Sequence, residues 1–382
     1  MKKSTFFIVL LGIVSLFADM TYEAARSITG PFLALLGASG TMVGIVAGAG
    51  EFVGYALRIL SGYVADKTNK YWSITIVGYL INLLAVPALA LVGQWQFAVA
   101  LIVLERIGKA IRTPARDAML SHATVDIGRG WGFGFHEAMD QIGAMIGPLI
   151  VAAVFYFKGT YQTAFGVLII PACLAITVLL IARFLYPSPR DLEITVKKIE
   201  TKGFNRIYWI YLVAVALNGA GYADFPLIAY HFKKIATVSE EWIPVFYAVA
   251  MGVDAVAALI FGRLFDKKGL GILAFSVMIS SFFAPFVFLG GFYACLVGMI
   301  LWGIGMGAQE SIMRAAVALL VPKERRAVGY GLFNTGYGFF WFLGSALLGF
   351  LYDISIPVLI IISVVLQLSA VPFILMIKQK IE

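Results

Sequence analysis

Ionisable side chains recur at helical spacing inside long apolar runs of this sequence. Asp19, Glu23 and Arg26 are four and three residues apart, which places all three on one face of a helix. Two ionised carboxylates one turn apart repel each other strongly in a medium of low dielectric. We therefore predict that Asp19 and Glu23 share a proton near the middle of the run and that Arg26 stabilises the charged form.

A second helical face carries mostly positive charge. Glu105, Lys109, Arg112 and Arg116 are separated by four, three and four residues. A charged side chain at bilayer depth is costly unless it is paired or hydrated, so each one marks a candidate functional position. Further polar candidates in the other apolar runs are His136, Glu137, Asp140, Asn218, Tyr222, Asp224, Asp254, Gln309 and Glu310.

Motifs for catalysis or metal binding are not found in the sequence. The three histidines lie far apart, and the two cysteines sit singly in apolar runs. No phosphate-binding glycine loop, nucleophile elbow or zinc-protease motif occurs. We therefore predict that the protein is not an enzyme and holds neither a metal nor a cofactor.

The elements that must position these charges are membrane-spanning helices. Of the 382 residues, 61% are hydrophobic and 13% charged, and the mean hydropathy is +0.92, whereas a water-soluble domain carries about 25% charged residues. Unbroken apolar runs favour helices over the alternating strands of a membrane barrel. The sequence predicts an all-α polytopic fold with twelve spans at 5–36, 41–64, 72–93, 96–121, 131–157, 163–185, 208–232, 243–264, 271–292, 294–320, 327–350 and 355–377.

The distribution of Lys and Arg predicts the orientation of the spans. With both termini in the cytoplasm, only Lys158, Lys233 and Lys234 of the 29 basic residues fall outside, as the positive-inside rule requires. The net charge of +8 therefore indicates membrane topology and not a nucleic-acid partner. We predict a multi-pass protein of the inner (cytoplasmic) membrane, in contact with lipid, whose parts are a six-helix half at 1–185, a cytoplasmic linker at 186–207 and a second half at 208–382.

The two predicted halves repeat one pattern. The segments after spans 2 and 8 share three residues at the same spacing and 200 positions apart, Gly62, Asp66 and Lys67 in the first and Gly262, Asp266 and Lys267 in the second. Arg116 in span 4 also matches Arg314 in span 10, and Gly147 in span 5 matches Gly344 in span 11. Two parallel six-helix repeats are an arrangement known from secondary transporters.

The repeated segments resemble a signature of the major facilitator superfamily, and the resemblance extends over essentially the whole chain. In that superfamily the loop between helices 2 and 3 has the Gly62, Asp66 and Lys67 pattern, and its repeat lies between helices 8 and 9. Asn69 stands where the second copy has Gly269, and both residue types tolerate left-handed backbone, so the same turn is predicted in both copies. The resemblance implies that these two loops, with Arg116 and Arg314 near them, form a cytoplasmic gate.

The same resemblance implies which spans line the transport path. In the superfamily, spans 1, 4, 7 and 10 surround a central cavity, and the charged residues of this chain concentrate on those spans and on spans 2 and 5. Tyr22 and Tyr222, which are 200 positions apart, are candidates to stack on a substrate. The predicted residues for proton coupling and substrate binding are Asp19, Tyr22, Glu23, Arg26, Arg106, Lys109, Glu137, Asp140, Tyr222, Asp224 and Glu310.

Span 5 predicts a direction of transport. Gly143, Gly147 and Pro148 are similar to a kinked motif of proton-coupled efflux permeases, and Arg106 is similar to an arginine in the superfamily's helix 4 motif. We therefore predict a secondary transporter, acting as a monomer, that exports a small molecule in exchange for protons by alternating access. Two alternatives remain open. One is uptake of an organic anion bound by Lys109, Arg112 and Arg116, and the other is a divalent cation carrier using Asp19, Glu23 and Glu137.

Overall fold

The structure is a computed structural model that describes residues 3–123, 129–187, 205–321 and 326–381. Within these ranges the chain is helical apart from short turns, and no strand occurs in them. Backbone in a lipid environment must satisfy its hydrogen bonds internally, so long apolar runs fold as helices.

Twelve helical spans are present in the described residues. The first six are Lys3–Leu35, Gly40–Thr68, Tyr71–Leu91, Trp95–Ala123, Arg129–Tyr156 and Tyr161–Leu185. The last six are Arg206–Ile235, Trp242–Lys268, Gly271–Leu289, Phe292–Leu320, Arg326–Ile354 and Ile356–Ile381. Every predicted boundary lies within four residues of the observed one, so the predicted all-α polytopic fold is confirmed. Residues 188–204 of the predicted linker lie outside the described residues.

Span 4 differs from the other spans in composition. Among the described residues, eleven helices are long and apolar enough to cross a membrane, and span 4 is not among them. Its 29 residues are ample for a bilayer core of about 30 Å. Its charged stripe lowers the hydropathy, and the charged side chains must therefore find partners within the protein.

Three spans of the second half contain breaks that the sequence did not predict, and span 9 is one of them, divided into Gly271–Ser280 and Phe283–Leu289. Span 7 is divided into Arg206–Gly221 and Phe225–Ile235. The Asp224 carboxylate accepts a hydrogen bond from the Phe225 amide and so caps the second of these helices. Span 10 contains a π-helical turn at Gln309–Met313. Such interruptions are frequent at functional positions in helical membrane proteins.

The turns after spans 2 and 8 both contain a residue of positive φ, as predicted. Asn69 has a φ of 57° and Gly269 a φ of 60°. Asparagine and glycine adopt positive φ more readily than other residues. The ψ of Gly269 is −152°, a conformation that is essentially restricted to glycine, so the second copy requires its glycine.

Glycines at repeated positions bring helices into backbone contact. A Cβ added at Gly147 of span 5 would overlap the Met20 carbonyl of span 1, and a Cβ added at Gly344 of span 11 would overlap the Ala220 carbonyl of span 7. These contacts are equivalent within the predicted repeat. The internal symmetry read from the sequence is therefore present in the packing of each half.

By their contacts, the described residues fall into two compact units. One contains the residues up to Thr29 and those from Val53 to Pro187. The other contains Gly30–Phe52 and the residues from Asn205 onward. The end of span 1 and the beginning of span 2 thus pack with the second half of the chain. The division into halves at 1–185 and 208–382 remains a prediction from the sequence.

Candidate functional site

Spans 1, 4 and 5 of the first unit bring a group of charged side chains together. Gly143 of span 5 makes this possible, because a Cβ there would overlap the Leu16 carbonyl and lie 3.0 Å from the Asp19 Cβ. Asp140 lies one turn before Gly143 and therefore faces the same part of span 1. The glycines of the span 5 motif thus pack span 5 directly on the backbone beside Asp19.

Asp19 is the least satisfied carboxylate of this group. It is 5% exposed, and its Oδ1 is buried without a hydrogen-bond partner among the described residues. The charged groups that act on it are Asp140 of span 5, Lys109 and Arg112 of span 4, and Glu23 of its own span. A buried carboxylate with an unpartnered oxygen is costly when ionised.

Glu23 lies instead between two cations. Its Oε1 is 3.9 Å from Arg26 Nη1 and 3.9 Å from Lys109 Nζ. The predicted neighbour Arg26 is therefore present, and the structure adds Lys109 from span 4. The two carboxylates of span 1 therefore have different surroundings.

Lys109 and Arg112 are held against tyrosine rings. Lys109 Nζ lies 3.9 Å from the ring centroid of Tyr22, and Arg112 Cζ lies 4.2 Å from that of Tyr79. A cation over an aromatic face is partly compensated by the ring. From the sequence we predicted that Tyr22 stacks on substrate, whereas in this structure its ring contacts Lys109. Nothing in the sequence pointed to Tyr79.

Arg112 is buried almost completely, at 1% exposure. Gly78 of span 3 allows this depth, because a Cβ there would lie 2.6 Å from the Arg112 amide nitrogen. Arg112 Nε and Nη1 have no hydrogen-bond partner among the described residues. A buried guanidinium normally uses its donors on carboxylates, phosphates or carbonyls, so these two nitrogen atoms retain unused capacity to bind an anion.

Three further polar contacts extend the group, one within span 5 and two made by Arg116 of span 4. His136 Nδ1 lies 3.5 Å from Asp140 Oδ2, while His136 Nε2 and Asp140 Oδ1 are buried without hydrogen-bond partners in the described part of the chain. Arg116 donates to Asp117 at 2.8 Å and to the Ser15 hydroxyl at 3.1 Å. Glu137, which the sequence placed with these residues, is exposed.

Arg106 has a local partner. Its Nε lies 3.2 Å from Glu105 Oε2, and the other oxygen of Glu105 accepts a hydrogen bond of 2.7 Å from Asn82 of span 3. This arrangement ties spans 3 and 4 together. The predicted coupling role of Arg106 remains a prediction, and Asn82 is a partner that charge spacing could not reveal.

In the second unit, the predicted residues of span 7 lie in aromatic packing. Tyr222 is fully buried, its ring centroid lies 5.6 Å from that of Trp341, and its hydroxyl donates to the Trp302 carbonyl. Asp224 caps a helix and lies 3.4 Å from the Trp341 indole nitrogen. Glu310 lies in the π-helical turn and is half-buried. Tyr222 and Asp224 therefore pack against aromatic side chains of the second unit.

The predicted gating residues are only partly described. Asp66 and Asp266 lie in helices, but their side chains fall outside the described part of the structure. Lys67, Lys267 and Arg314 are exposed. A Cβ at Gly262 would meet nothing within 4 Å, so close helix approach does not explain that glycine in this conformation. The gating role remains a prediction.

Among the described residues, no group of three or more His, Cys, Asp or Glu side chains is arranged to hold a metal ion. The carboxylates of span 1 are also close to cations, as Glu23 shows. Any cation carried by this site would have to compete with Lys109 and Arg26.

Similarity to known proteins identifies the family. The Major Facilitator Superfamily pattern matches residues 11–345. An uncharacterized protein of Mycobacterium tuberculosis is 40% identical over 371 residues, which span 95% of this chain and 91% of the relative. An uncharacterized MFS-type transporter of Methanocaldococcus jannaschii is 28% identical over 363 residues, which span 91% of this chain and 88% of the relative.

Solved structures share the fold at low sequence identity. The nucleoside transporter NupG has a TM-score of 0.78 at 14% identity, covering 96% of this chain and 99% of NupG. The peptide transporter POT has a TM-score of 0.76 at 14% identity, covering 98% of this chain and 94% of POT. With the family pattern and the 40% identical relative, these likenesses show that the chain belongs to the major facilitator superfamily and is a multi-pass membrane transporter, not an enzyme.

Proposed function

We propose that this transporter carries a small organic anion together with protons into the cell. The proposal includes monomeric action in the cytoplasmic membrane, with both termini in the cytoplasm. The observation that carries it is the buried guanidinium of Arg112, whose Nε and Nη1 lack hydrogen-bond partners among the described residues. A buried cation with unpartnered donors is costly, so its surroundings favour binding of a carboxylate or phosphate.

Asp19 sets the sign of the coupling. When ionised, it compensates the positive charges of Lys109 and Arg112, which act on it. When Asp19 holds a proton, those charges are available to an anion. Anion and proton therefore favour each other's binding, and the inward proton gradient would drive uptake of both.

Reconstitution tests this proposal. We expect purified protein in liposomes with an alkaline lumen to accumulate at least one of pyruvate, succinate and glycerol phosphate, with protein-free liposomes as the control. For one proton per monovalent anion, the ratio would be about tenfold per pH unit, because one pH unit corresponds to about 1.4 kcal/mol. Accumulation of the lipophilic cation tetraphenylphosphonium in liposomes with an acidic lumen, without transport of any anion, would contradict it.

Export in exchange for protons is the second candidate. It is favoured by Gly143, Gly147 and Pro148 of span 5, whose pattern is similar to that of efflux permeases. If export is the function, cells that overproduce the protein should contain less of a fluorescent substrate than control cells. Collapse of the proton gradient should restore accumulation, and gradient-dependent gain of substrate would instead support uptake.

The divalent cation carrier receives the least support of the three. Glu23 lies 3.9 Å from both Lys109 Nζ and Arg26 Nη1, and these charges repel a metal ion. Adding Mn²⁺ to the same liposome panel tests this candidate, because only a divalent cation carrier is expected to accumulate it.

A further inference from the structure

A carboxylate from span 11 caps the beginning of span 2. Asp353 accepts hydrogen bonds from the Gly40 amide at 3.0 Å, the Thr41 amide at 2.7 Å and the Thr41 hydroxyl at 2.6 Å. The first amides of a helix have no partner within the helix, and the helix dipole favours a negative charge there. A residue 312 positions away in sequence thus supplies a cap that helices ordinarily obtain locally.

The local cap of the same helix is also present, which separates the two roles. Ser39, directly before the helix, accepts a hydrogen bond of 3.2 Å from the Met42 amide. Ser39 therefore stabilises the start of span 2 by itself. Asp353 adds a link between span 2 of the first repeat and span 11 of the second.

The face of span 2 beneath this cap is made of glycine. Gly40, Gly44 and Gly48 are four residues apart, so they lie on one face of the helix. A Cβ at Gly44 would overlap the Ser345 carbonyl of span 11, and one at Gly48 would lie 2.9 Å from the Phe342 Cα. The two helices therefore approach closely over about two turns, and the next turn of span 2 stacks Phe52 on Phe342.

A second contact holds the turn between spans 1 and 2. The Tyr230 hydroxyl of span 7 donates to the Ala38 carbonyl at 3.2 Å. Gly30, near the end of span 1, also packs against the Pro226 carbonyl of span 7. The turn is thus fixed to spans 7 and 11 together, on the side that the distribution of Lys and Arg predicts to be external.

We infer that Gly40, Thr41 and Asp353 form an outer clasp, which holds the external ends of spans 2 and 11 together in this conformation and opens in each transport cycle. The chemistry suits a reversible contact. Asp353 is exposed, so water can replace its hydrogen bonds when the spans part. The glycine face of span 2 leaves few side chains to repack when the spans separate, while the carboxylate gives the closed state its directional contact.

Cysteine accessibility tests the clasp without knowledge of the substrate. The full-length protein first receives Cys173→Ser and Cys295→Ala, which remove its own thiols. Ser345→Cys then places a single thiol where span 11 contacts the glycine face of span 2. We expect Asp353→Ala to increase the rate of labelling by an impermeant maleimide from outside by about tenfold or more, because hydrogen bonds to a charged group are lost. An unchanged rate would overturn the inference.

Ser39→Ala is the matched control. It removes a cap from the same helix but leaves the link to span 11, so labelling should stay near the rate of the parent protein. Equal acceleration by Ser39→Ala and Asp353→Ala would mean that only the start of span 2 had been weakened, and would overturn the clasp.

A cross-link provides the complementary test. Thr41→Cys and Asp353→Cys are combined in protein that lacks Cys173 and Cys295 and keeps Ser345. Under oxidation the two new cysteines should form a disulfide that stops exchange of the anion accumulated by the liposomes. Reductant should restore the exchange. Continued exchange by fully cross-linked protein would refute the clasp. Because labelling of Ser345→Cys requires no substrate, failure of the proposed anion uptake would leave the labelling result interpretable.

Discussion

Asp19→Asn should abolish accumulation driven by a pH gradient while exchange of labelled substrate across equal concentrations continues. Asparagine has nearly the same volume but cannot take up and release the proton, and it removes the carboxylate charge of span 1 that compensates Arg112. Driven accumulation should therefore fall from about tenfold per pH unit to no accumulation. Proteoliposome uptake and counterflow, measured side by side, separate the two effects.

Glu137 is an exposed acid among the coupling residues predicted from the sequence, so Glu137→Gln tests whether a carboxylate outside the buried group takes part. It should retain driven accumulation. Glu23→Gln tests the sequence prediction of a shared proton, and loss of coupling in that variant as well would support it. Full driven accumulation by Asp19→Asn would place the proton elsewhere, with Asp140 as the next candidate.

Arg112→Gln should weaken anion binding by about 100-fold and leave the unliganded protein no less stable. Loss of a charge-assisted bidentate contact accounts for about 2 to 3 kcal/mol, and removal of an uncompensated buried charge is often neutral or stabilising. Thermal unfolding with and without anion measures both effects. An anion at about 100 times its Kd should stabilise the parent protein by about 2.7 kcal/mol, and this gain should disappear in the variant.

Two variants guard the interpretation of Arg112→Gln. Arg183→Gln changes an exposed arginine at the end of span 6 and should keep the response to anion. Arg112→Lys keeps the charge without the planar fork and should bind anion with intermediate strength. If Arg112→Gln instead unfolds several degrees lower without ligand and binds anion normally when folded, Arg112 is a structural residue.

The sequence predicted which residues of the candidate site share a helix face, but not which residues of other helices they contact. The spacing of Asp19, Glu23 and Arg26 predicted a common face, and the structure places Arg26 at Glu23. The stripe of span 4 predicted positive charge near it. Helical periodicity specifies which residues share a face, but not which neighbouring helix that face meets, so the contacts of Lys109 with Glu23 and Tyr22 were not predictable.

The same limit explains why the surroundings of Arg112 and Tyr222 could not be predicted. In the sequence, Arg112 is one of several basic residues in a stripe that runs towards the cytoplasm. In the structure, Gly78 and Tyr79 of span 3 enclose it. Tyr222 matched Tyr22 in the repeat, yet its ring is packed among aromatic side chains of other spans. Equivalent positions in a duplicated chain share backbone geometry, while their neighbours have diverged.

The sequence by itself determined the twelve spans, their division by turns such as Asn69 and Gly269, and membership of the superfamily. These follow from local physics, since apolar length, left-handed turn residues and repeated motifs act within one segment. Only the tertiary structure decided that Gly143 seats span 5 beside Asp19 and that Asp353 caps span 2. Those contacts join residues more than a hundred positions apart, and their formation depends on the rotation and close approach of whole helices, which no local pattern specifies.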